Sequence, residues 1–254
     1  MPPDPEYGPV FGVLTPPANT TVEPEMQLLL PGTVLGARCT SAAPDSRQRL
    51  VDYLDRLGST LEQFDTAPLR VAGFACTGSS YLAGRAAEDR HIATLAAKRA
   101  FPVVTATQAI RRCLDLLGAR RIALLSPYPA WLGSAALTYW REAGCEISAV
   151  AGLTDELLDT RAIYALTSER VQQVLATLNT AGCDAVLLSG TGMPTLRVIA
   201  ALSAIPPVLS SNVCLAWAML AEVDSSQRTA AALRHFLGPD AAWRKRLRER
   251  QEAV

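Results

Sequence analysis

Histidine is scarce in this chain of 254 residues: it occurs twice, as His91 and His235. Neither histidine has a second metal-type ligand at helical spacing, as a zinc site formed on a helix would require. No histidine lies near Cys76 in the sequence, so this thiol lacks the base that a protease-type nucleophile needs. We therefore expect no bound metal and no protease-type hydrolysis.

Charge of one sign is also missing, since 24 basic side chains balance 24 acidic ones. This balance gives no electrostatic footprint for nucleic acid, and we interpret the basic tail 244–250 as a solvated helix end. No run of about 18 apolar residues exists, and the N-terminus lacks a basic region followed by an apolar core. We expect a cytoplasmic protein with neither nucleic acid nor membrane as partner; a homo-oligomer is left open.

The chain lacks the common cofactor fingerprints. No G-x-G-x-x-G follows the first predicted strand, no G-x-x-x-x-G-K-[ST] occurs, and Gly190-Thr191-Gly192 is only a G-x-G. The cysteines form no C-x-x-C pair, which argues against zinc and disulfides. We expect no cofactor, so any chemistry must come from a thiol and from loop hydroxyls or amides. The six cysteines are Cys39, Cys76, Cys113, Cys145, Cys183 and Cys214.

What the chain does contain is an internal duplication. The segment 70–80, RVAGFACTGSS, recurs in altered form at 184–195, DAVLLSGTGMPT, and Cys76 of the first copy corresponds to Gly190 of the second. Each copy is an apolar run that ends in a Thr-Gly turn before a helical stretch, which predicts a buried strand leading into a helix. The segments 12–19 and 122–130 correspond in the same way, as do 102–107 and 207–212.

Strands alternating with helices predict an α/β fold of two pseudo-symmetric lobes, each a parallel sheet flanked by helices. We assign residues 1–115 and about 220–254 to the first lobe and residues 116–219 to the second. Ligand sites in such sheets lie outside the carboxyl ends of the strands. The two Thr-Gly turns should therefore face each other across one cleft, with the site between the lobes.

Cys76 is the candidate catalytic residue. A cysteine between a strand and a helix lies near unpaired amides and the positive end of the helix dipole, so we expect a pKa below that of a free thiol. The amides of Thr77, Gly78 and Ser79, with those of Thr191 and Gly192 opposite, would bind a carboxylate or an enediolate. The other five cysteines are expected to be buried apolar residues.

Five motifs in fixed order carry a family resemblance: GVLTPPANTTVEPE, FACTGSSYLAG, LLSPYPAWL, LLSGTGMPTL and PVLSSNVCLAWAML. Together they resemble the aspartate/glutamate racemase superfamily, in its branch of maleate cis-trans isomerases and arylmalonate decarboxylases. The similarity covers nearly the whole chain up to about Glu222. It implies two pseudo-symmetric α/β lobes, no cofactor or metal, and one or two cysteines on opposite faces of a substrate carbon next to a carboxylate.

The resemblance also implies roles for single residues. Cys76 matches the family's first-lobe cysteine, and Gly190 occupies the position of the second-lobe cysteine. Tyr128 matches a position that holds the retained carboxylate in the decarboxylases, although a core aromatic is the alternative interpretation. Asn19 matches the carboxylate-binding asparagine of the isomerases, and the alternative there is a helix N-cap. The other matching carboxylate positions are Thr77, Gly78 and the turn Gly190, Thr191 and Gly192.

The single thiol selects among the family's reactions. Racemisation needs a thiol on both faces of the carbon, and maleate isomerisation resembles a cysteine addition assisted by a second cysteine. The segment 152–159 also lacks the asparagine expected for a second carboxylate. Decarboxylation needs only one acid, which protonates the enediolate left by carbon dioxide. We therefore expect a decarboxylase of a 2-substituted malonate or similar dicarboxylate, with Cys76 as the proton donor; an altered isomerase or racemase and a non-catalytic dicarboxylate-binding protein are the alternatives.

The loop 38–47, RCTSAAPDSR, departs from the apolar pocket that the decarboxylases share. Such a pocket destabilises the departing carboxylate by desolvation. Arg38 or Arg47 in this loop could instead bind a second carboxylate, while the alternative is a pair of surface arginines. The substrate stays open at this point.

Overall fold

Two four-stranded parallel sheets form the framework of the protein. The computed structural model describes residues 8–153, 160–202 and 206–253. The strands of the first sheet are Val10–Thr15 (β1), Thr33–Arg38 (β2), Leu69–Phe74 (β3) and Val103–Thr105 (β4). Those of the second are Arg121–Ser126 (β5), Glu146–Gly152 (β6), Ala185–Leu188 (β7) and Val208–Ser210 (β8). The order is β2-β1-β3-β4 in one sheet and β6-β5-β7-β8 in the other, so the two sheets have the same topology.

Helices connect these strands. In the first half they are Val22–Leu29 (α1), Ser46–Asp55 (α2), Leu57–Leu61 (α3), Thr77–Ala83 (α4), Arg85–Ala96 (α5) and Ala106–Leu117 (α6). In the second half they are Ala130–Glu142 (α7), Ser168–Leu175 (α8), Leu196–Ala201 (α9), Ser211–Val223 (α10), Ala230–Leu237 (α11) and Ala242–Glu252 (α12). Short 3₁₀ helices occupy Glu62–Phe64, Thr160–Ala165 and Ser225–Gln227. The predicted alternation of strands and helices in two similar lobes is confirmed.

Burial differs between the strands of each sheet. The central strands β1 and β7 are buried along their whole length, as expected for parallel strands covered on both faces. The outer strand β6 is only partly buried, and Val150 in it exposes 56% of its surface. The apolar runs that the duplication identifies are therefore the centres of the two sheets.

Hydroxyl residues end the short strands β4 and β8 and begin the helices that follow. Thr105 Oγ1 accepts a hydrogen bond from the amide of Gln108 at 3.1 Å. Ser210 Oγ accepts the corresponding bond from Val213 at 3.2 Å. A cap of this kind stabilises a helix by about 1 kcal/mol. The matching segments 102–107 and 207–212 thus share a capping function.

Helix α10 packs across the boundary between the two lobes. This helix follows β8 of the second sheet, yet it packs against α6 and β3 of the first half. The predicted end of the second lobe, at residue 219, falls within this helix, so the two lobes interlock there. Within the described residues, no helix is long and apolar enough to cross a membrane.

Candidate active site

The two Thr-Gly turns meet at the carboxyl ends of β3 and β7. Thr191 Oγ1, from the second turn, donates a hydrogen bond to the carbonyl oxygen of Ala75 at 2.9 Å. Ala75 immediately precedes Cys76, so the second turn is fastened directly beside the thiol. The duplicated segments therefore face each other between the lobes.

A cavity of about 30 Å³ lies between the turns. Cys76, Thr77, Gly78, Tyr128 and the turn Gly190, Thr191 and Gly192 line it, whereas the candidates Asn19, Ser79, Arg38 and Arg47 do not. The cavity also has an apolar wall from α2, α7 and the 3₁₀ helix at Thr160–Ala165. The lining residues are Pro16, Leu50, Cys76, Thr77, Gly78, Tyr128, Leu132, Thr160, Ile163, Tyr164, Gly190, Thr191 and Gly192. A neighbouring cavity of about 180 Å³ shares Pro16, Leu50, Thr160 and Tyr164 with the first. The site is thus a small, mostly apolar space around Cys76 that adjoins a larger space.

Cys76 lies where the sequence predicts, but its acidity is changed in the opposite direction. Its Sγ is 3.2 Å from Ser79 Oγ at the start of α4. This hydroxyl and the amides of Ser79 and Gly78 lower the pKa of the thiol, yet burial outweighs them and the net pKa lies above its ordinary value. The expectation of a low pKa is wrong because the donors at the helix start do not replace the lost hydration. Cys76 is held as a neutral thiol, which can donate a proton.

Tyr128 belongs both to the cavity wall and to an aromatic cluster. Its hydroxyl is hydrogen-bonded to Thr77 Oγ1, and burial raises its pKa well above the usual range. Its ring lies edge-to-face with Tyr81 at 6.0 Å, and Tyr81 contacts Tyr139 and Trp140 in the same way. The hydroxyls of Tyr128 and Thr77 are therefore held together by packing, close to Cys76.

Asn19 lies outside the cavity wall. Its Oδ1 accepts hydrogen bonds from the amides of Thr21 at 3.0 Å and Val22 at 3.2 Å, at the start of α1. Its Nδ2 points to Thr191 Oγ1 at 3.4 Å. The N-cap residue of α1 is Thr21, so Asn19 binds the first amides of the helix from two residues earlier, with its amide nitrogen directed at the second turn. A role for Asn19 in binding substrate stays a prediction.

Gly190 and Gly192 have backbone positions that other residues would disturb. Gly190 has φ +146°, and a Cβ there would lie 2.9 Å from Pro127 Cγ and 3.0 Å from Pro127 Cδ. A Cβ at Gly192 would lie 2.6 Å from Tyr164 Cε1. The second turn therefore excludes a side chain sterically as well as lacking a thiol. A cysteine in place of Gly190 would have to displace Pro127.

Sequence reasoning missed two residues behind the second turn, Glu25 and Asn212. Glu25 Oε1 accepts hydrogen bonds from the amides of Thr195 at 2.7 Å and Leu196 at 3.1 Å, where α9 begins. Asn212 Nδ2 donates to Glu25 Oε2 at 2.7 Å. Burial raises the pKa of Glu25 to about 7, while these hydrogen bonds oppose the increase. Both residues belong to the quoted motifs: Glu25 ends GVLTPPANTTVEPE and Asn212 lies in PVLSSNVCLAWAML. Neither spacing nor composition indicates that the two residues contact each other.

The hypothesis that Arg38 or Arg47 binds a second carboxylate is wrong. Arg38 forms an ion pair with Glu23 at 2.5 Å and donates to the carbonyl of Asn19, away from the cavity. Arg47 stacks on the ring of Trp131 at 5.5 Å. Sequence reasoning instead missed Leu50, Leu132 and Ile163, which form the apolar wall. They lie on elements that are remote in sequence, so only the fold brings them to Cys76.

The other five cysteines are buried, as expected. No group of side chains within the described ranges could hold a metal ion. The segment 152–159 lies largely outside the described residues. The prediction that it lacks a second carboxylate site therefore stays a prediction.

Known proteins resemble this chain over most of its length. A family model described as arylmalonate decarboxylase matches residues 11–236. A maleate isomerase of Pseudomonas putida is 27% identical over 230 residues, which cover 84% of this chain and 91% of the relative. A maleate isomerase structure from Pseudomonas putida S16 superposes with a TM-score of 0.75 at 25% identity, covering 85% of this chain and 93% of that one.

A liganded arylmalonate decarboxylase variant, in which one glycine is replaced by cysteine and one cysteine by serine, has the same fold. Its TM-score is 0.73 at 20% identity, with 85% of this chain and 92% of that one covered. The matches thus agree with the five motifs, the two similar sheets and the cleft between them. The chain belongs to the arylmalonate decarboxylase family, an enzyme family whose relatives include maleate isomerases.

Proposed function

We propose that this protein is a cofactor-independent decarboxylase of a 2-substituted malonate, with Cys76 as the acid that protonates the product carbon. The observation that carries the proposal is a single buried thiol opposite Gly190, in a cavity where Gly190 leaves no room for a second one. Decarboxylation requires one proton donor, whereas racemisation requires one on each face.

The reaction would run in two steps. Cleavage of a carbon–carbon bond releases carbon dioxide and leaves its electron pair on the α-carbon, as an enediolate of the retained carboxylate. The Cys76 S–H then transfers its proton to that carbon, and the resulting thiolate is reprotonated from water. The hydroxyls of Thr77 and Tyr128 and the amides of the two turns would hold the retained carboxylate. Leu50, Leu132 and Ile163 would surround the departing carboxylate and favour its loss by desolvation.

The acidity of Cys76 supports a proton donor over a nucleophile. A thiol whose pKa is raised by burial stays protonated at neutral pH, so it is ready to protonate a carbanion. Addition to the double bond of maleate would require the thiolate, which burial disfavours. The substituent on the malonate would extend into the neighbouring cavity of about 180 Å³.

A maleate-type isomerase is the second candidate, because the curated relative is a maleate isomerase and aligns over nearly the full length of both chains. Its requirement for a second thiol is not met by any residue that lines the described cavity. A dicarboxylate-binding protein without activity is the third candidate.

Turnover separates all three candidates. Wild type and Cys76→Ala are incubated in heavy water with a prochiral 2,2-disubstituted malonate or with maleate, and the products are analysed by NMR and chiral chromatography. We expect carbon dioxide and one enantiomer of an α-deuterated monocarboxylate from wild type alone, and no fumarate. Fumarate without carbon dioxide would establish the isomerase, and binding without turnover the non-catalytic protein. The family resemblance implies that the decarboxylases carry their single cysteine in the second lobe, on the opposite side from Cys76, so the product of this chain should have the opposite handedness to theirs.

A further inference from the structure

Glu25 is a buried carboxylate that the proposed reaction does not use. Its side chain lies on α1, and the whole residue exposes 7% of its surface. Its oxygens are surrounded by donors: the amides of Thr195 and Leu196, the Thr195 hydroxyl, and Asn212 Nδ2. These donors favour the ionised, acceptor-only form of the carboxyl group against the burial that raises its pKa to about 7, so above that pH the carboxylate accepts from all of them.

Asn212 carries the effect of this carboxylate toward the cavity. Its Nδ2 donates both to Glu25 Oε2 at 2.7 Å and to the Thr191 carbonyl oxygen at 3.0 Å. Its buried Oδ1 has no hydrogen-bond partner among the described residues. Reversing the amide would place Oδ1 against two acceptors, so the carboxylate of Glu25 dictates which way Asn212 points.

Thr191 completes the connection to the thiol. Its carbonyl is held by Asn212, and its hydroxyl is bonded to the carbonyl of Ala75, next to Cys76. An unbroken series of hydrogen bonds thus runs from Glu25 through Asn212 and Thr191 to the backbone that carries the thiol.

We propose that Glu25 is a positioning residue, which fixes the second turn against Cys76 by orienting the amide of Asn212. This inference rests on the proposed function for its kinetic readout, but not for the geometry it describes. Neutralising Glu25 should allow Asn212 to reverse, after which the Thr191 carbonyl loses its donor and the turn shifts.

The test is a double-mutant cycle on the full chain. Glu25→Gln replaces the acceptor opposite Asn212 with an amide donor, and Asn212→Ala removes the donor to Thr191. If Glu25 acts through Asn212, each variant should lower kcat at least tenfold with KM changed less than threefold. The double variant should then be no slower than the slower single variant, because coupled residues give non-additive effects. The proposal would be overturned if the loss of kcat in the double variant equalled the product of the two single losses, or if kcat were unchanged in Glu25→Gln. If Asn212→Ala does not fold, Asn212→Ser removes the same donor and the cycle is repeated with it.

Glu88→Gln is the matched control. Glu88 is fully buried like Glu25, but it accepts from the hydroxyls of Thr105, Thr107 and Tyr139. Hydroxyls can donate or accept, so they can rotate to satisfy an amide. We expect kcat of Glu88→Gln within twofold of wild type; a loss as large as that of Glu25→Gln would mean that any buried carboxylate has the effect.

Alkylation of Cys76 by iodoacetamide, followed by peptide mass spectrometry, tests the geometry without any substrate. Loosening the second turn should expose the thiol, so the Cys76 alkylation rate should rise at least threefold in Glu25→Gln and stay unchanged in Glu88→Gln. An unchanged rate in Glu25→Gln would contradict the positioning role. If wild type fails to decarboxylate malonates, the proposed function is lost, while this measurement still decides the role of Glu25.

Discussion

The two duplicated turns differ in where the following helix begins and in what its first amides bind. In the first lobe, α4 begins at Thr77, immediately after Cys76, and the amides of Gly78 and Ser79 face the thiol. In the second lobe, α9 begins only at Leu196, and the amides there are taken by the carboxylate of Glu25. One helix start therefore faces the Cys76 thiol, and the other binds a carboxylate of the protein itself.

This difference shows how one repeated segment can take two forms. The first turn carries the Cys76 thiol. The second turn forms a wall, with Gly190 and Gly192 packed against Pro127 and Tyr164. The cavity is consequently asymmetric although the two sheets are alike.

The most severe way to break the asymmetry is to remove the thiol. Cys76→Ala should lower the decarboxylation rate by about 10³-fold, within the usual range for loss of a general acid, because no other described residue in the cavity offers a thiol. Steady-state kinetics measure the loss. Cys183→Ala is the control, since Cys183 precedes β7 at the opposite end of the strand. Retention of more than a few per cent of activity in Cys76→Ala would remove Cys76 from its role.

The carboxylate at the second helix start should give a pH-dependent stability. Its pKa is raised from 4.5 to about 7, so between these values the folded state binds more protons than the unfolded state. The contribution of Glu25 to the free energy of unfolding should therefore fall by about 3 kcal/mol as pH rises from 4.5 to 7, and then level off. Urea unfolding of wild type and Glu25→Gln at pH 5, 6, 7 and 8 isolates the contribution. Parallel stability curves for the two proteins would contradict it.

Adding a side chain to the second turn should destabilise the fold. Gly190→Ala places a Cβ against Pro127 at a positive φ, which should cost about 2–3 kcal/mol. Gly133→Ala is the control: Gly133 lies within α7 with open space around it, and the change should stabilise by about 0.5–1 kcal/mol. Thermal and urea unfolding report both.

The same obstacle applies to Gly190→Cys, which would otherwise supply the opposite acid and base for racemisation. We expect Gly190→Cys to exchange the α-hydrogen of a 2-substituted carboxylic acid only weakly in heavy water. It should increase when Pro127→Ala makes room for the new thiol. Full exchange in Gly190→Cys alone would show that the turn is more adaptable than its packing indicates.

Removing the hydroxyl of Tyr128 should reduce activity without unfolding the protein. Tyr128→Phe deletes one donor to the retained carboxylate, and a hydrogen bond to a charged group contributes roughly 1.5–3 kcal/mol, so kcat/KM should fall at least about tenfold. Tyr139→Phe is the matched variant, since the Tyr139 hydroxyl donates to Glu88 instead of lining the cavity. It should lower stability and leave kcat/KM within about twofold. The reverse pattern would show that the Tyr128 hydroxyl contributes to stability and not to substrate binding.

The smallest expected effect concerns the helix start beside the thiol. Ser79→Ala removes a hydroxyl that lowers the pKa of Cys76, so the thiol pKa should rise further and alkylation near neutral pH should slow by a few fold. Ser80→Ala serves as control, because the Ser80 hydroxyl has no hydrogen-bond partner in the described part of the chain. Equal rates for the two variants would show that Ser79 does not influence the thiol.

The sequence was sufficient for the architecture because the apolar runs and the duplication are local signals. The runs ending at Phe74 and Leu188 became central strands, and the hydroxyls at Thr105 and Ser210 became helix caps. The prediction of a thiol beside a glycine turn followed from the same repeat. The acidity of Cys76 did not, because burial depends on Leu50, Leu132 and other residues that only the fold assembles.

By itself the sequence determined two similar parallel sheets, the correspondence of Cys76 with Gly190 and the membership of the arylmalonate decarboxylase family, since each is written in short motifs. Tertiary structure alone decided three things: that the thiol is neutral, that Arg38 binds Glu23 instead of a ligand, and that Glu25 reaches the second turn through Asn212. Each depends on desolvation or on hydrogen bonds between distant segments. Neither quantity can be read from a linear pattern, because both arise only when the lobes close on each other.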